Sequence, residues 1–560
     1  MTYCYTAAEI RAAEQPYLDA QTRDDELMRH AATAVSEVAE RMLAKVSPEP
    51  GRGRVLLLVG SGGNGGDALY AGRDLSSGGH GVDAVLLGTK PHERALKAFE
   101  LAGGRVLPLG CDRETDLSKI LWSISEDYAL IIDGIVGLGG HGALREEAAW
   151  LVREANIGEV PILSVDVPSG VEADTGRTFD PPSQTINPDL DLEEGQDPYL
   201  PSHVEATTTV TFGGLRYAHA LSEACGEVEL YEIALDVCSL ELPGLGQTLY
   251  ENGHYNAVHH QTPTVEFYEA LGGSFPAPFG AKTQLEPGAA DHKYSTGVTG
   301  IAAGSQEYPG AGQLCASAAV HATSPAVIYV GDVDARNRIT AALPTALPTV
   351  IAQPDSVDRK EVRVDAWVAG PGRGTDERAA EELRAILATD KPVVIDADAL
   401  TLLSMHENLR QLVRERGQER NLRTVLTPHA GEFERLTGHE VTNAIADARE
   451  LAEQFSCEVL LKGRRTVIAN PKTQRTVVID AGSSWAATPG SGDVLSGLLG
   501  AWVARGESLY VPVIIHARAA FLAAQTEFGP APCSAQDIAE SIRDATAWFT
   551  NEGISGKIRL

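Results

Sequence analysis

Short continuous apolar runs, each followed by a turn and then a helical stretch, recur along most of the chain. In the first half they are RVLLLVG (54–60), DAVLLG (83–88), YALIIDGIVG (128–137) and VPILSVDVPSG (160–170), with TTTVTFGGL (207–215) closing the series. Helical runs such as DALYAGRDLSSGG and HERALKAFELAGG lie between them. Strands without polar alternation are buried on both faces, so strand–helix alternation predicts a mainly parallel sheet covered by helices. The pattern returns in GVTGIAAGS, AVIYVGD, AWVAGPGRG, PVVIDADAL, TVLTPHAGE, CEVLLKGRRTVIAN and RTVVIDAG. It ends in GDVLSGLLGAWVARG and VPVIIHARAAFLAAQTEFG, which read as two apolar, Ala-rich helices packed on the sheet. The fold class is α/β, and 560 residues are too many for one core.

Two regions break the pattern. The stretch 176–206 is rich in Pro and acid and reads as an exposed excursion. Residues 239–290 carry many Gly and Pro and no sustained period, which places the domain boundary there. The expected division is a domain over 1–240, a linker over 241–275 and a second domain over 276–560.

Charge narrows the partners. Asp and Glu number 77 against 46 Lys and Arg, a formal net charge of −31. So acidic a surface repels nucleic acid and anionic lipid, and neither is expected as a partner. An anionic ligand then needs local positive potential from backbone N–H groups, helix N-termini or a few basic side chains. The seven Cys, at 4, 111, 225, 238, 315, 457 and 533, show no C-x-x-C spacing. Free thiols in a reducing cytoplasm are the expectation. The polar N-terminus MTYCYTAAEIRAAEQ does not read as a signal peptide, and no stretch approaches the ~20 apolar residues of a membrane span.

GSGGNGGDALYAGRDL (60–75) stands directly between a strand and a helix. Glycines there allow close backbone approach, and the helix N-terminus offers unpaired N–H groups to phosphate. Asn64 and Asp67 are embedded in the turn; Asp67 alternatively serves as an N-cap. Asp133 ends the strand YALIID, and Asp166 and Ser169 lie in SVDVPSG. The carboxyl ends of parallel strands share one edge, so these five residues can converge. Their oxygens suit a hard cation, and a carboxylate there can move a proton. The alternative is that each caps its own turn.

TPGSGDVLSGLLGAW (488–502) is the more specific signal. Successive N–H groups at Gly490, Ser491 and Gly492 form a candidate anion hole at a helix start. Asp493 beside it can take a proton from a hydroxyl that receives a phosphoryl group, or merely complement the helix dipole. Lys462, Arg464 and Arg465 at a strand end read as a phosphate site or as a solvated turn. His429 is a ligand contact or only a helix-start residue. Asp396 and Asp398 bind metal with substrate or terminate a strand.

The motifs GSGGNGGDAL, DGIVGLGGHG, DVPSG and VTFGGL, in this order, resemble the N-terminal epimerase domain of the bifunctional NAD(P)H-hydrate repair enzymes over residues 5–237. The resemblance implies a three-layer Rossmann-like α/β/α domain. It implies a potassium ion held by Asn64, Asp133 and Ser169. Contacts to the hydrated dinucleotide would come from Gly63, Asn64, Gly65, Gly66, Asp67, Gly137, Leu138, Gly139, Gly140, His141, Gly142, Ala143 and Asp166, with Asp166 transferring the proton. The family pattern G-N-N-G-G-D-G has Gly63 in place of its first Asn and Ala68 in place of its last Gly. Its D-A-L-F-G-T-G is here DGIVGLG.

HKYSTGVTGIAAGS (292–305), AGPGRG (369–374), IDADAL (395–400), LTPHAGEFERL (426–436), LKGRRTVI (461–468) and the GSGD turn resemble the ribokinase-like NAD(P)H-hydrate dehydratases over residues 285–550. The resemblance implies a ribokinase-like α/β domain in which Lys462, Gly463, Arg464, Arg465, Thr466 and Gly492 bind the adenine nucleotide. Ala311, Gly372, His429 and Asp493 would contact the hydrated dinucleotide. Tyr294 replaces a Gly of the family's H-K-G motif, and HARAAF (516–521) lacks the family's acid, so His516 reads as a core histidine. The implied chemistry is epimerisation of R and S forms of NADHX and NADPHX, and dehydration of the S form with ADP, or alternatively ATP, and Mg2+. AMP and phosphate would be the by-products, and a homo-oligomer is expected. Two other readings stay open: a ribokinase-like small-molecule kinase, or an active dehydratase fused to a non-catalytic dinucleotide-binding domain.

Overall fold

A computed structural model describes residues 2–46, 53–108, 113–181, 200–233, 264–271, 294–323, 326–331 and 363–551, with a few isolated positions between them. The chain divides into two compact units, residues 2–262 and 263–560.

The first unit contains β1 (Thr2–Tyr5), β2 (Arg54–Val59), β3 (Val82–Leu86), β4 (Arg105–Leu107), β5 (Tyr128–Gly134), β6 (Ile162–Val165), β7 (Thr208–Phe212), β8 (Leu215–Arg216) and β9 (Glu227–Tyr231). Seven of these form a parallel sheet in the order β4-β3-β2-β5-β6-β7-β9. The other two, β1 and β8, pair in parallel with each other. Val55, Leu57 and Val59 point into a core shared with the helices Ala7–Ala20, Glu26–Val46, Gly63–Ser77 and Glu93–Leu101. Leu56 and Leu58 alternate into a second core under Arg113–Asp127 and Glu146–Ile157. Period-two alternation between two apolar layers makes the expected α/β/α arrangement. The chain runs outward in both directions from the β2/β5 pair, so the crevice at their carboxyl ends is a switch point.

The second unit contains β10 (Thr264–Glu269), β11 (Val298–Ala302), β12 (Ala326–Val330), β13 (Ala366–Ala369), β14 (Val393–Ile395), β15 (Thr424–Leu426), β16 (Glu458–Leu461), β17 (Arg465–Asn470) and β18 (Arg475–Asp480). Their order is β12-β11-β13-β14-β15-β16-β17-β18-β10. Pairing is parallel from β12 to β16, then antiparallel through β17 to β18. The two apolar helices expected at the end are Ser491–Ala504 and Tyr510–Ala523. They share one core with Pro309–Thr323 and Ala535–Asn551. The switch point here lies between β11 and β13.

Two expectations change. Residues Thr264–Glu269, inside the expected linker 241–275, form a strand whose backbone pairs with β18 along its whole length. The remainder of that linker lies almost entirely outside the described residues. Of the excursion at 176–206, residues 182–199 also lie outside them. Its end is not exposed: Leu200 and Val204 are buried, and the Val204 amide donates to the Ser169 carbonyl at 2.8 Å. Four of the described Cys are buried and Cys533 is half-buried, all as free thiols. Among the described residues no helix is long and apolar enough to cross a membrane.

Two candidate active sites

The first site is a cleft of about 710 Å³ at the β2/β5 switch point. Its floor is the turn from β2 into the Gly63–Ser77 helix. Gly62 is the N-cap, with no side-chain cap, so Asp67 lies within the helix rather than capping it. A Cβ on Gly65 would stand 2.3 Å from the Gly60 carbonyl oxygen, which is why the helix can start so close to the strand end. Asn64 donates its amide to the Val165 carbonyl, leaving Oδ1 to face Gly137.

Asp133 is buried at the end of β5 and accepts from four donors. Ser169 Oγ approaches Oδ1 at 2.6 Å and the Ile135 amide at 3.2 Å, while Ser164 Oγ and the Ser169 amide each reach Oδ2 at 2.9 Å. Burial pushes the carboxyl up, against those hydrogen bonds. Asn64, Asp133 and Ser169 are thus brought to one edge as expected, and their donors are all oxygen, which fits an alkali cation. Among the described residues no three His, Cys, Asp or Glu side chains gather as a metal cage.

Asp166 follows β6 with φ of +67°, an uncommon conformation for a residue with a side chain. Its amide donates to Val210 at 2.7 Å, and His219 Nε2 holds its carbonyl at 2.8 Å. The backbone is therefore clamped on both sides, which sustains the strain. Asp166 Oδ1 pairs with Arg216 at 2.7 Å and accepts from Thr211 at 3.0 Å. Arg216 is buried and also donates to the Gly214 and Phe212 carbonyls. Gly63, Asn64, Asp67, Gly137, Leu138, Gly139, Gly140, His141, Gly142, Ala143 and Asp166 all line this cleft. Gly65 and Gly66 lie behind it, buried in the helix. Arg216, Arg11 and Glu14 also line it and were not anticipated. Asp67 is pushed well up by burial, with Asp166 and Glu14 adding to the rise.

Two of the departures from the motifs, Ala68 and Gly134, meet in space. A Cβ on Gly134 would stand 2.6 Å from the Ala68 Cβ. In the pattern that the resemblance implies, the methyl belongs to the strand position and Gly to the helix; here the methyl is on the helix and Gly on the strand.

The second site lies at the carboxyl ends of β11, β13, β14, β15 and β16. Gly490, with φ of +86°, is the N-cap of the Ser491–Ala504 helix. The Ser491 amide donates to Thr488 at 3.1 Å, so the anion hole is not the expected run of three. The amides of Gly490, Gly492 and Asp493 donate to no group among the described residues. His516 is buried and its Nε2 stands 3.1 Å from both Ser491 Oγ and the Ser491 carbonyl. Burial lowers its pKa to about 4, consistent with a core histidine that shapes the turn.

Asp493 is half-buried on the first turn. Burial pushes its carboxyl up to about 6, with Asp396, Asp398 and Glu432 adding and Lys462 opposing. Lys462 lies 3.7 Å from where a Gly492 Cβ would be. It is not a solvated side chain: its Nζ pairs with Asp396 at 2.6 Å and Glu432 at 3.5 Å. Ser496 Oγ holds the other Asp396 oxygen at 2.6 Å. Asp396 therefore positions the lysine, and Asp398 accepts from the Gly374 amide at 2.8 Å, fixing the loop after β13. Arg464 and Arg465 share Asp480, at 3.1 and 2.9 Å, on the hairpin that carries Gly463 and Thr466.

His429 caps the Ala430–Thr437 helix, its Nδ1 accepting from the Gly431 amide at 3.0 Å. That bond leaves the proton on Nε2, on an imidazole still half exposed. Gly372, with φ of +59°, packs on Ala311: a Cβ would stand 2.8 Å from the Ala311 Cβ. Those two expected contacts therefore adjoin. Tyr294 turns instead to His292 and Arg363. Lys293 lies outside the described residues.

Comparison with known proteins matches residues 24–218 to the YjeF-related protein N-terminus family and residues 299–543 to the NAD(P)H-hydrate dehydratase family. A bifunctional NAD(P)H-hydrate repair enzyme of Corynebacterium glutamicum is 40% identical over 97% of this chain and 98% of its own. One from Mycobacterium tuberculosis H37Rv is 39% identical over 90% of each chain. An ADP/ATP-dependent NAD(P)H-hydrate dehydratase from Bacillus subtilis, crystallised with ATP and Mg2+, is 25% identical, covering 47% of this chain and 94% of its own with a TM-score of 0.41.

Proposed function

The chain belongs to the bifunctional NAD(P)H-hydrate repair enzymes, and from that membership we propose how its two sites divide the work. The first unit interconverts the R and S hydrates of NADH and NADPH. The second dehydrates the S form at the expense of a nucleotide, ADP giving AMP and phosphate.

The observation that carries the dehydratase reading is the start of the Ser491–Ala504 helix, where free amides, a buried lysine and a carboxyl meet. Hydroxide is a poor leaving group, whereas a phosphorylated hydroxyl leaves as phosphate. Asp493 takes the hydroxyl proton as the phosphoryl group arrives. The Gly490 and Gly492 amides and Lys462 face the transferred charge. Gly372, Ala311 and His429 hold the hydrated dinucleotide. The segment Lys462–Thr466 and Gly492 hold the nucleotide, and Mg2+ neutralises its phosphates when bound.

In the first unit, residues 63–67 and 137–143 hold the dinucleotide, and Asp166 is the carboxylate at the reacting carbon. Asn64, Asp133 and Ser169 would hold potassium, which supplies positive charge beside the loops that meet the pyrophosphate. Ser169 Oγ donates to Asp133 but also lies 3.2 Å from the Val136 carbonyl, so its proton can be redirected there and leave both oxygens to a cation.

The decisive measurement is recovery of reduced-nicotinamide absorbance from a mixture of both NADH hydrates with Mg2+ and ADP, and with ATP in parallel. Full recovery, faster than spontaneous epimerisation, is expected. Recovery that stops near half would remove the epimerase, and none with either nucleotide would remove the dehydratase.

A further inference from the structure

Glu14 sits on the Ala7–Ala20 helix and lines the first cleft together with Asp67, Asp166 and Arg216. It is half-buried and forms no hydrogen bond among the described residues. Asp166 differs: Oδ1 is committed to Arg216 and Thr211, so the side chain is held in place. Of the carboxyls that line the cleft, Asp166 is thus tied to a buried guanidinium, whereas Glu14 is unpaired among the described residues and able to exchange its proton with whatever enters.

The substrate's chemistry calls for that pair. Adding water across an enamine double bond places the hydroxyl on the carbon bonded to the ring nitrogen. That is the carbon whose configuration distinguishes the two hydrates. We propose that Glu14 is the acid–base residue of epimerisation, an assignment that rests on the epimerase reading of this cleft. Glu14 gives its proton to the hydroxyl as the C–O bond breaks, and the bonding pair leaves with oxygen as water. Positive charge is then shared by the carbon and the ring nitrogen, opposite the Asp166 carboxylate. Water adds to the other face, a new C–O bond forms, and the released proton returns to Glu14. Nothing is oxidised or reduced, and the acid is regenerated.

The charges around Glu14 suit this cycle. Burial pushes its carboxyl up to about 7, Asp166 adds to the rise, and Arg216 and Arg11 oppose it. A group half-protonated near neutrality can both give and take a proton. Asp67, a further carboxyl of the cleft, is also pushed above its ordinary range by burial, but it sits within the Gly63–Ser77 helix that forms the floor, whereas Glu14 comes from the Ala7–Ala20 helix.

The test uses the full chain and the pure R hydrate of NADH, following appearance of the S form. Glu14→Gln, nearly isosteric, is expected to slow epimerisation about 10²–10⁴-fold. It should erase the change in the wild-type rate profile near pH 7 while NADP+ binding, read by calorimetry, stays within threefold. Epimerisation in H2¹⁸O by the wild type should place ¹⁸O in each inverted product. An E14Q rate within threefold of wild type, parallel loss of NADP+ binding, or product that retains its original oxygen would each overturn the assignment. A wild type that binds NADP+ but never inverts the hydrate would overturn the epimerase reading beneath it.

Discussion

A carboxyl that takes a proton near neutral pH is poorly matched to a site that already holds other carboxylates, and Asp493 shows this conflict. Its pKa is raised to about 6, so its ionised form is disfavoured in the folded state. The penalty is absent below the ordinary Asp range and complete above about pH 6. Asp493→Asn should therefore raise the melting temperature at pH 8, by roughly 1–3 kcal/mol of stability, and change it little at pH 4. The same substitution should lower dehydration of the S hydrate about 10²–10⁴-fold. Wild-type dehydration should fall as pH drops through 6, because protonated Asp493 cannot accept the hydroxyl proton. A variant that loses activity without the gain in stability at pH 8 would show that the carboxyl is not disfavoured there. Asp493 was legible because it sits in a Gly-rich turn that a simple cap would not need. Arg216 and Glu14 were not. Arg216 is a single residue after VTFGGL, and its meaning depends on a carboxylate 50 positions earlier. Lys462 was legible as a cation, but its partners Asp396, at the end of β14, and Glu432, in the first turn of the Ala430–Thr437 helix, are supplied only by the fold.

At the scale of elements, the contact between β5 and the Gly63–Ser77 helix is the place where one methyl decides the fit. Gly134→Ala would put two methyls 2.6 Å apart and press on the Asn64 carbonyl at 2.7 Å. Overpacking of this kind costs typically about 1–3 kcal/mol. The expected result is a lower melting temperature and weaker epimerisation, because Asn64 is displaced. Combining it with Ala68→Gly should recover part of both losses; a double variant no better than the single would separate the two positions. Strands in general were easy to read, since buried parallel strands are unbroken apolar runs. Strand β10 was missed because its TVEFYE alternates polar and apolar within a Gly- and Pro-rich region, and it is identified only by its pairing with β18. The N-terminal helix was also missed, although Thr6 and Glu9 form a capping box visible in the sequence. Pro16 and a polar face obscured its period, and Glu14 was overlooked with it.

For the whole molecule, each site is assembled from loops of a single unit: those after β2, β5 and β6 in one, those after β11 and β13 to β16 in the other. The chemistry should then separate by mutation. Asp493→Asn should leave epimerisation of the pure R hydrate unchanged, and Asp166→Asn should leave dehydration of the pure S hydrate unchanged, each within twofold. Loss of both activities from either substitution would mean that the sites are coupled. Lys462, Arg464, Arg465 and Arg216 all stand at the sites in pairs with Asp or Glu, which offsets their charge in a chain of net charge −31. Composition could not indicate that the basic residues at the sites are already paired with acids.

The pairing of Ala68 with Gly134 can be exchanged by two single changes, Gly134→Ala and Ala68→Gly, made in either order. One order passes through two alanines in a space that holds one; the other passes through two glycines and leaves a gap the size of a methyl. A small void costs about 1 kcal/mol, less than forcing a helix off its sheet. Glycine at both positions is therefore the milder of the two intermediates, with a looser hold on the turn that presents Asn64.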